Sequence, residues 1–203
     1  GGDRAGSSTV PAAIWGLVGP RPSHRRIPIW PGSDDWRPFS DVGPMARCIA
    51  DLALMFAATA GPDPRDPHAA TIPPIGPIPR HLRIAWDTTV AGLPVDPACA
   101  AAAEGLAGVF ADLGHQVRCA APLLPDPGPV LDLLGAVEEH RVRGQLLGGA
   151  ANQLMPETLA ILQQGREADP QSIEAARNSR RRIVSIFQAF MADCDLFILP
   201  ATA

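Results

Sequence analysis

The chain has 203 residues, a formal net charge of −4 at neutral pH and 46% hydrophobic residues. Length and apolar content suffice for a domain with its own core, and the near-balanced charge supplies no basic stripe for nucleic-acid binding. No apolar run reaches the ~18–20 residues a bilayer span needs and no signal peptide opens the chain, so no membrane is expected as a partner either.

Residues 1–9, of sequence GGDRAGSST, read as a small-residue loop. Glycine there permits positive φ and close backbone approach. Pro11 suits the first turn of a short helix through about Gly16, where its missing N–H is not needed. Residues 19–43, rich in Pro, Gly, Ser and Asp, read as loop with room for a short strand. In 44–60, Met45, Ile49, Leu52, Phe56 and Ala60 recur at helical spacing, with Pro44 at the first turn and Gly61-Pro62 as the stop. Residues 62–80 are a proline-rich connection.

Leu82–Trp86 reads as a buried strand. Asp96-Pro97 caps an alanine-rich helix to Gly114, with Leu106, Val109, Phe110 and Leu113 expected inward. Gln116–Ala120 is the next strand, and this order implies a βαβ-like unit. Helical segments are expected at about 130–147, 156–164 and 170–192. The last opens with Asp169-Pro170 and buries Ile173, Ile183, Phe187, Phe190 and Met191. Leu196–Leu199 is an apolar strand ended by Pro200. The fold class is α/β, with a central mixed sheet flanked by helices.

Cys48, Cys99, Cys119 and Cys194 lie far apart, with no CxxC pair or zinc spacing. They read as buried free thiols in a reducing cytoplasm. No metal site is expected. Glu138-Glu139-His140 sits on a helix where adjacent residues do not share a face, and reads as a solvated surface. Asp34-Asp35 reads as a turn, and Asp63 and Asp66 as parts of a rigid loop. His24, His68, His81, His115 and His140 are scattered. A Ser-His-Asp site stays open, because triads assemble in space, but no histidine is singled out. Arg180-Arg181-Arg182 reads as a solvated helix face.

One run has the shape of an acyl-transfer site. A serine hydroxyl needs a base to become a nucleophile, and the oxyanion that forms needs N–H donors. In Gly1–Ala13, small residues before Ser7 let backbone amides reach such an oxygen, and a helix start after it adds a favourable dipole. By itself the pattern also fits a plain loop before a helix.

Gly1 to Ala13 resembles the amidase signature G-x-D-x-G-G-S-[IVL]-R-x-P-A. Gly16–Ser23 is similar to that family's G-x-x-G-L-K-P-[TS], and Arg26-Ile27-Pro28 to the R-[VI]-P that follows. Gly43-Pro44-Met45-Ala46-Arg47 with Ala50-Asp51-Leu52-Ala53-Leu54 resembles the G-P-M-A-R-x-x-A-D-x-A-L helix. Asp195–Ala201 resembles a later strand ending in proline. Motifs in register over essentially the whole chain are specific where any single one is not.

The resemblance implies an amidase-signature fold and hydrolysis of carboxylic amides through a serine acyl-enzyme. It implies a Ser–cis-Ser–Lys triad, no cofactor and no metal. Ser7 matches the nucleophile. Arg4, Ala5 and Gly6 match the loop whose backbone amides form the oxyanion hole, and Asp3 matches the aspartate that organises it. A small-molecule amide is the implied substrate, with a homodimer of the complete enzyme as the implied assembly. The amide-hydrolysing component of a tRNA-dependent amidotransferase and a non-catalytic binding or scaffold homologue are the alternatives.

Three positions depart from the motif. Ala5 replaces the second glycine, Ser8 the aliphatic residue and Thr9 the arginine, which removes a charge and five donors. The lysine and bridging serine of the triad have no matching positions, and all 17 basic residues are arginine. The chain therefore reads as an internal piece, truncated at both ends and inactive alone.

Overall fold

The computed structural model describes every residue except 1, 4, 5, 31–38, 70–75, 78, 90, 91 and 203, with the backbone alone at Gly2 and Asp3. The chain divides into two compact units, Gly1–Pro77 and Ile78–Ala203.

In the first unit, strand β1 (Gly2–Asp3) pairs antiparallel with β2 (Asp41–Val42), in the register Gly2↔Val42 and Asp3↔Asp41. Helix α1 (Thr9–Trp15) begins two residues before Pro11, leaving the proline in the first turn as expected. It ends on Gly16 in the left-handed region at φ 63°, and the Leu17 N–H returns 2.8 Å to the Ala12 carbonyl. This is a glycine C-cap that satisfies a free helix carbonyl.

Helix α2 spans Ile49–Thr59, so the expected start at Pro44 is wrong. Residues 44–48 are non-helical, with an isolated bridge at Ala46 and a bend at 47–48. Ala46 exchanges two backbone hydrogen bonds with Val18, of 2.9 and 3.0 Å. An isolated bridge to the distant Val18 has overridden the local helix signal. Leu52 is buried and Phe56 half-buried, while Ile49 is exposed rather than inward. Ile49, Leu52 and Phe56 still share a face. With Pro20, Pro22 and Arg26 they line a cavity of about 440 Å³, and the Arg26 guanidinium lies 5.4 Å from the Phe56 ring centroid.

The second unit is built on a three-stranded sheet of order β4-β3-β5, with both pairings parallel. The strands are β3 (Arg83–Trp86), β4 (Gln116–Cys119) and β5 (Leu196–Ile198). The α/β class stands. Among the described residues, however, parallel and antiparallel pairings fall in separate sheets rather than one mixed sheet. Central β3 carries the two most buried apolar side chains of the sheet, Ile84 and Ala85.

Helix α3 (Pro97–Asp112) links β3 to β4, as the strand–helix–strand order requires. Its cap is Asp96, whose carboxylate accepts 2.7 Å from the Ala98 N–H. The inward face is not the expected one. Ala103 and Ala107 are buried and Phe110 half-buried, while Leu106, Val109 and Leu113 are 46%, 54% and 67% exposed. The helix carries two neighbouring apolar stripes. The alanine stripe brings the helix axis closer to the sheet, so burial has chosen small side chains over large ones.

Helices α4 (Gly128–Arg143), α6 (Pro156–Glu167) and α7 (Pro170–Met191) pack together, α4 against both others. The helix expected over 130–147 stops at Arg143. A short α5 (Leu146–Gly149) and a 3-10 turn (Ala151–Gln153) follow. Leu134, Ala136, Leu162 and Ala176 are buried among these helices. A Cβ on Gly165 would collide with the Ala136 carbonyl oxygen, so glycine is what permits the close α4–α6 approach.

Asp169 caps α7 through the Gln171 and Ser172 N–H groups at 3.0 and 2.9 Å. On the apolar side of α7, Ile173, Ile183, Phe190 and Met191 are half-buried, as is Ile186, while Phe187 is 38% exposed. Phe190 meets Phe197 of β5 edge-on at 4.9 Å between ring centroids. Cys194 is the one buried thiol. Cys99 is half-buried, whereas Cys48 and Cys119 are exposed, against expectation. Cys48 sits at the extended entry to α2, and Cys119 at the end of β4, an edge strand of the described sheet.

Candidate active site

The site is built from the entry to α1. After β1 the chain reaches Gly6 at φ 96°, a conformation that side chains disfavour. A Cβ there would also lie 2.9 Å from a Val10 methyl. The Gly6 carbonyl accepts 2.8 Å from the Val10 N–H, which closes the turn carrying Ser7. Ser7 is exposed and immediately precedes the cap residue Ser8. Ser7 thus lies next to the N-terminal, positive end of the α1 dipole.

Ser8 is fully buried, and its hydroxyl does not cap the helix. The aliphatic preference of the motif at that position is therefore a burial requirement, met here by a smaller polar side chain. Arg4 and Ala5 lie outside the described residues. Asp3 is placed by its backbone alone, opposite Asp41. Of the expected oxyanion-hole residues, Gly6 is the one whose geometry is on view.

Two glycines fit the residues around Ser7 against each other. A Cβ on Gly19 would lie 2.8 Å from the Ala12 side chain and 3.0 Å from the Ser8 carbonyl oxygen. A Cβ on Gly43 would collide with the Pro20 carbonyl oxygen. Sequence reasoning found these motifs without the reason for their glycines, which is backbone passing against backbone.

Sequence reasoning missed Asp41 altogether. This residue is 7% exposed. Its Oδ2 accepts from the Arg21 guanidinium at 3.2 Å. Its Oδ1 accepts from His24 Nδ1 at 2.9 Å and from the Arg25 backbone N–H at 3.2 Å. Arg25 Nε donates 3.0 Å to His24 Nε2, which leaves Nδ1 to carry the proton shared with Asp41. Arg25 is the one described non-glycine residue at positive φ, 63°. The partners stand 16 to 20 positions upstream, beyond any local pattern.

The other sequence candidates resolve into structural roles. Glu138 pairs with Arg141 at 2.9 Å and Glu139 with Arg143, one helical turn apart. His140 Nδ1 is buried among the described residues without a hydrogen-bond partner. His68 Nδ1 lies 3.1 Å from Arg25, His81 Nδ1 3.2 Å from the Gly114 carbonyl, and His115 Nδ1 accepts from the Leu82 N–H at 3.3 Å.

Asp63 holds Arg65 at 2.7 Å, and that hydrogen bond lowers its pKa from 3.8 to about 2. Asp66 accepts from the Ile29 and His68 N–H groups, each at 3.0 Å, so both aspartates are engaged by loop hydrogen bonds. Asp34-Asp35 lies outside the described residues. Among the described residues no cluster of three metal-ligating side chains occurs, and no helix is long and apolar enough to cross a membrane.

The family model for amidases matches residues 1–203, and the chain belongs to the amidase family. The 6-aminohexanoate-cyclic-dimer hydrolase of Paenarthrobacter ureafaciens is 34% identical over 166 residues, covering 73% of this chain and 34% of its own length. A glutamyl-tRNA(Gln) amidotransferase component of Thermus thermophilus is 30% identical over 233 residues, covering 100% and 49%. The solved structure of 6-aminohexanoate cyclic dimer hydrolase complexed with substrate superposes with a TM-score of 0.77 at 26% identity. It covers 97% of this chain and 45% of that one. The chain thus spans about a third to a half of the length of these relatives.

Proposed function

We propose that the protein containing this chain hydrolyses carboxylic amides, with Ser7 as the nucleophile. The observation that carries the reading is the exposed Ser7 between a positive-φ glycine and a helix N-terminus, within a chain of the amidase family. The hydroxyl oxygen attacks the amide carbon. Backbone N–H groups of the 4–7 loop hold the oxyanion, in the manner of preorganised donors. The tetrahedral species collapses, the protonated amine leaves, and water releases the acid from the acyl-enzyme. Asp3 organises the loop. The general base is read as the family's lysine, relayed by its bridging serine; none of these 203 residues is a lysine. The substrate is a small-molecule amide, and the complete enzyme is read as a homodimer. A reducing compartment, the cytoplasm, belongs to the same reading and is supported by four free thiols.

The test is covalent labelling of the full-length protein with a fluorophosphonate. The expected result is a single adduct on Ser7, lost in Ser7→Ala with an unchanged melt. Labelling that persists in Ser7→Ala overturns the reading. A second reading, the amide-hydrolysing component of an amidotransferase, is favoured by the match of the whole chain to the Thermus thermophilus protein. Ammonia transfer that depends on a partner protein distinguishes it.

A further inference from the structure

We propose that Asp41 is a positioning residue for the Ser7 loop, an inference that rests on the amide-hydrolysing reading above. A buried carboxylate is costly unless paired and fully hydrogen-bonded. Asp41 meets that condition with three donors drawn from one short segment, Arg21, His24 and the Arg25 N–H. It thereby clamps residues 21–25 onto β2. Arg21 extends the clamp by donating 3.0 Å to the Phe39 carbonyl. The left-handed backbone of Arg25 shows how tightly the turn is held, since such a conformation is strained for a side chain and persists where its surroundings over-determine it.

The clamp acts on the nucleophile by two routes through the backbone. In the first, Asp41 is the register partner of Asp3, four residues before Ser7, so the place of β2 sets where β1 delivers the loop. In the second, the segment continuing from β2 passes Gly43 against Pro20 and pairs Ala46 with Val18. Gly19, between those two contacts, seats against the Ser8 carbonyl and Ala12 of α1. Asp41 touches no reacting atom. It holds the frame that decides where the Ser7 oxygen and the loop amides stand, and an error of about 1 Å in such placement costs on the order of a hundredfold in rate.

The experiment measures saturation labelling of the full-length protein by a fluorophosphonate, separating the maximal rate kinact from the half-saturating concentration KI. Asp41→Asn keeps the shape and removes the charge. The expected result is a fall in kinact of about tenfold or more, with KI within about twofold and the adduct still on Ser7. Arg21→Gln alters a half-exposed partner and is expected to lower kinact about threefold. The double variant falls by less than the product of the two single losses, because the two residues share the Arg21–Asp41 bond while each keeps a further contact of its own.

A wild-type kinact in folded Asp41→Asn, or an equal loss in KI alone, overturns the proposal. If Asp41→Asn does not fold, wild-type rates in Arg21→Gln and His24→Gln overturn it instead. Labelling that survives in Ser7→Ala removes the nucleophile reading itself. Its loss there, beside unchanged labelling in Asp41→Asn, removes only the role of Asp41.

Discussion

The two units hold themselves together by different means. Ile78–Ala203 is an apolar assembly in which a parallel sheet and long helices bury Ile84, Ala85, Leu134 and Leu162. Gly1–Pro77 has two-residue strands and a seven-residue α1, and its buried set includes Ser8 and Asp41. Its order comes from carbonyls, amides and a carboxylate fitted against one another. A site that presents backbone N–H groups to an oxyanion is served by the second kind of construction, in which loops are located by specific bonds. Apolar packing is non-directional and locates whole elements instead.

The largest expected effect separates the units directly. Leu162→Ala empties a fully buried position between α4 and α6 and is expected to cost about 4 kcal/mol. Leu52→Ala removes the same atoms at a less completely buried position that lines a larger cavity than Leu162 does, about 440 against about 250 Å³, and is expected to cost about 2 kcal/mol. Urea denaturation of the full-length variants measures both. Equal costs would break the contrast between a packed and a bonded unit.

A pair of glycine substitutions follows. Gly43→Ala and Gly165→Ala each drive a methyl into a backbone carbonyl, of Pro20 and Ala136 respectively, at an expected cost of about 3 kcal/mol. Their consequences differ. Gly43→Ala is expected to slow fluorophosphonate labelling at temperatures where the protein remains folded. Gly165→Ala is expected to lower the melting temperature with labelling intact below it. Equal labelling by the two variants would dissociate the close approach at Gly43 from the site.

The smallest effect is electrostatic and has the same sign in both units. Arg65 holds the Asp63 pKa at about 2 rather than 3.8, and Arg83 lowers that of Asp195 through paired hydrogen bonds. Both carboxylates are more acidic folded than unfolded. Their contribution is therefore complete above the ordinary carboxylate range and fades as pH falls through the folded values. Melts between about pH 5 and 2 should show Arg65→Gln and Arg83→Gln losing less stability on acidification than the parent. Both pairs are exposed, so the effect is small and screened by salt. Parallel curves for variant and parent would contradict the assignment.

Much was legible from residue order because its causes are local. Asp96-Pro97 and Asp169-Pro170 announced helix starts that the structure caps as expected, since an aspartate accepting the next N–H groups needs only its own neighbours. The β3–α3–β4 order and the position of Ser7 before a helix follow from the same short-range chemistry. The start of α2 was misread because a helix signal at Pro44 competes with a pairing to Val18 that no local window contains. The inward face of α3 was misread because periodicity reveals apolar stripes without saying which one a neighbour takes.

Sequence by itself determined the family, the α/β class, the capped helices and the serine at the head of α1. These depend on motif spacing and on interactions within about one helical turn. Tertiary structure alone decided that β5 joins β3 from more than a hundred residues away, that alanines rather than leucines face the sheet, and that Asp41 gathers Arg21, His24 and Arg25. A buried carboxylate is intelligible only once its donors are brought to it, and folding rather than sequence proximity brings them.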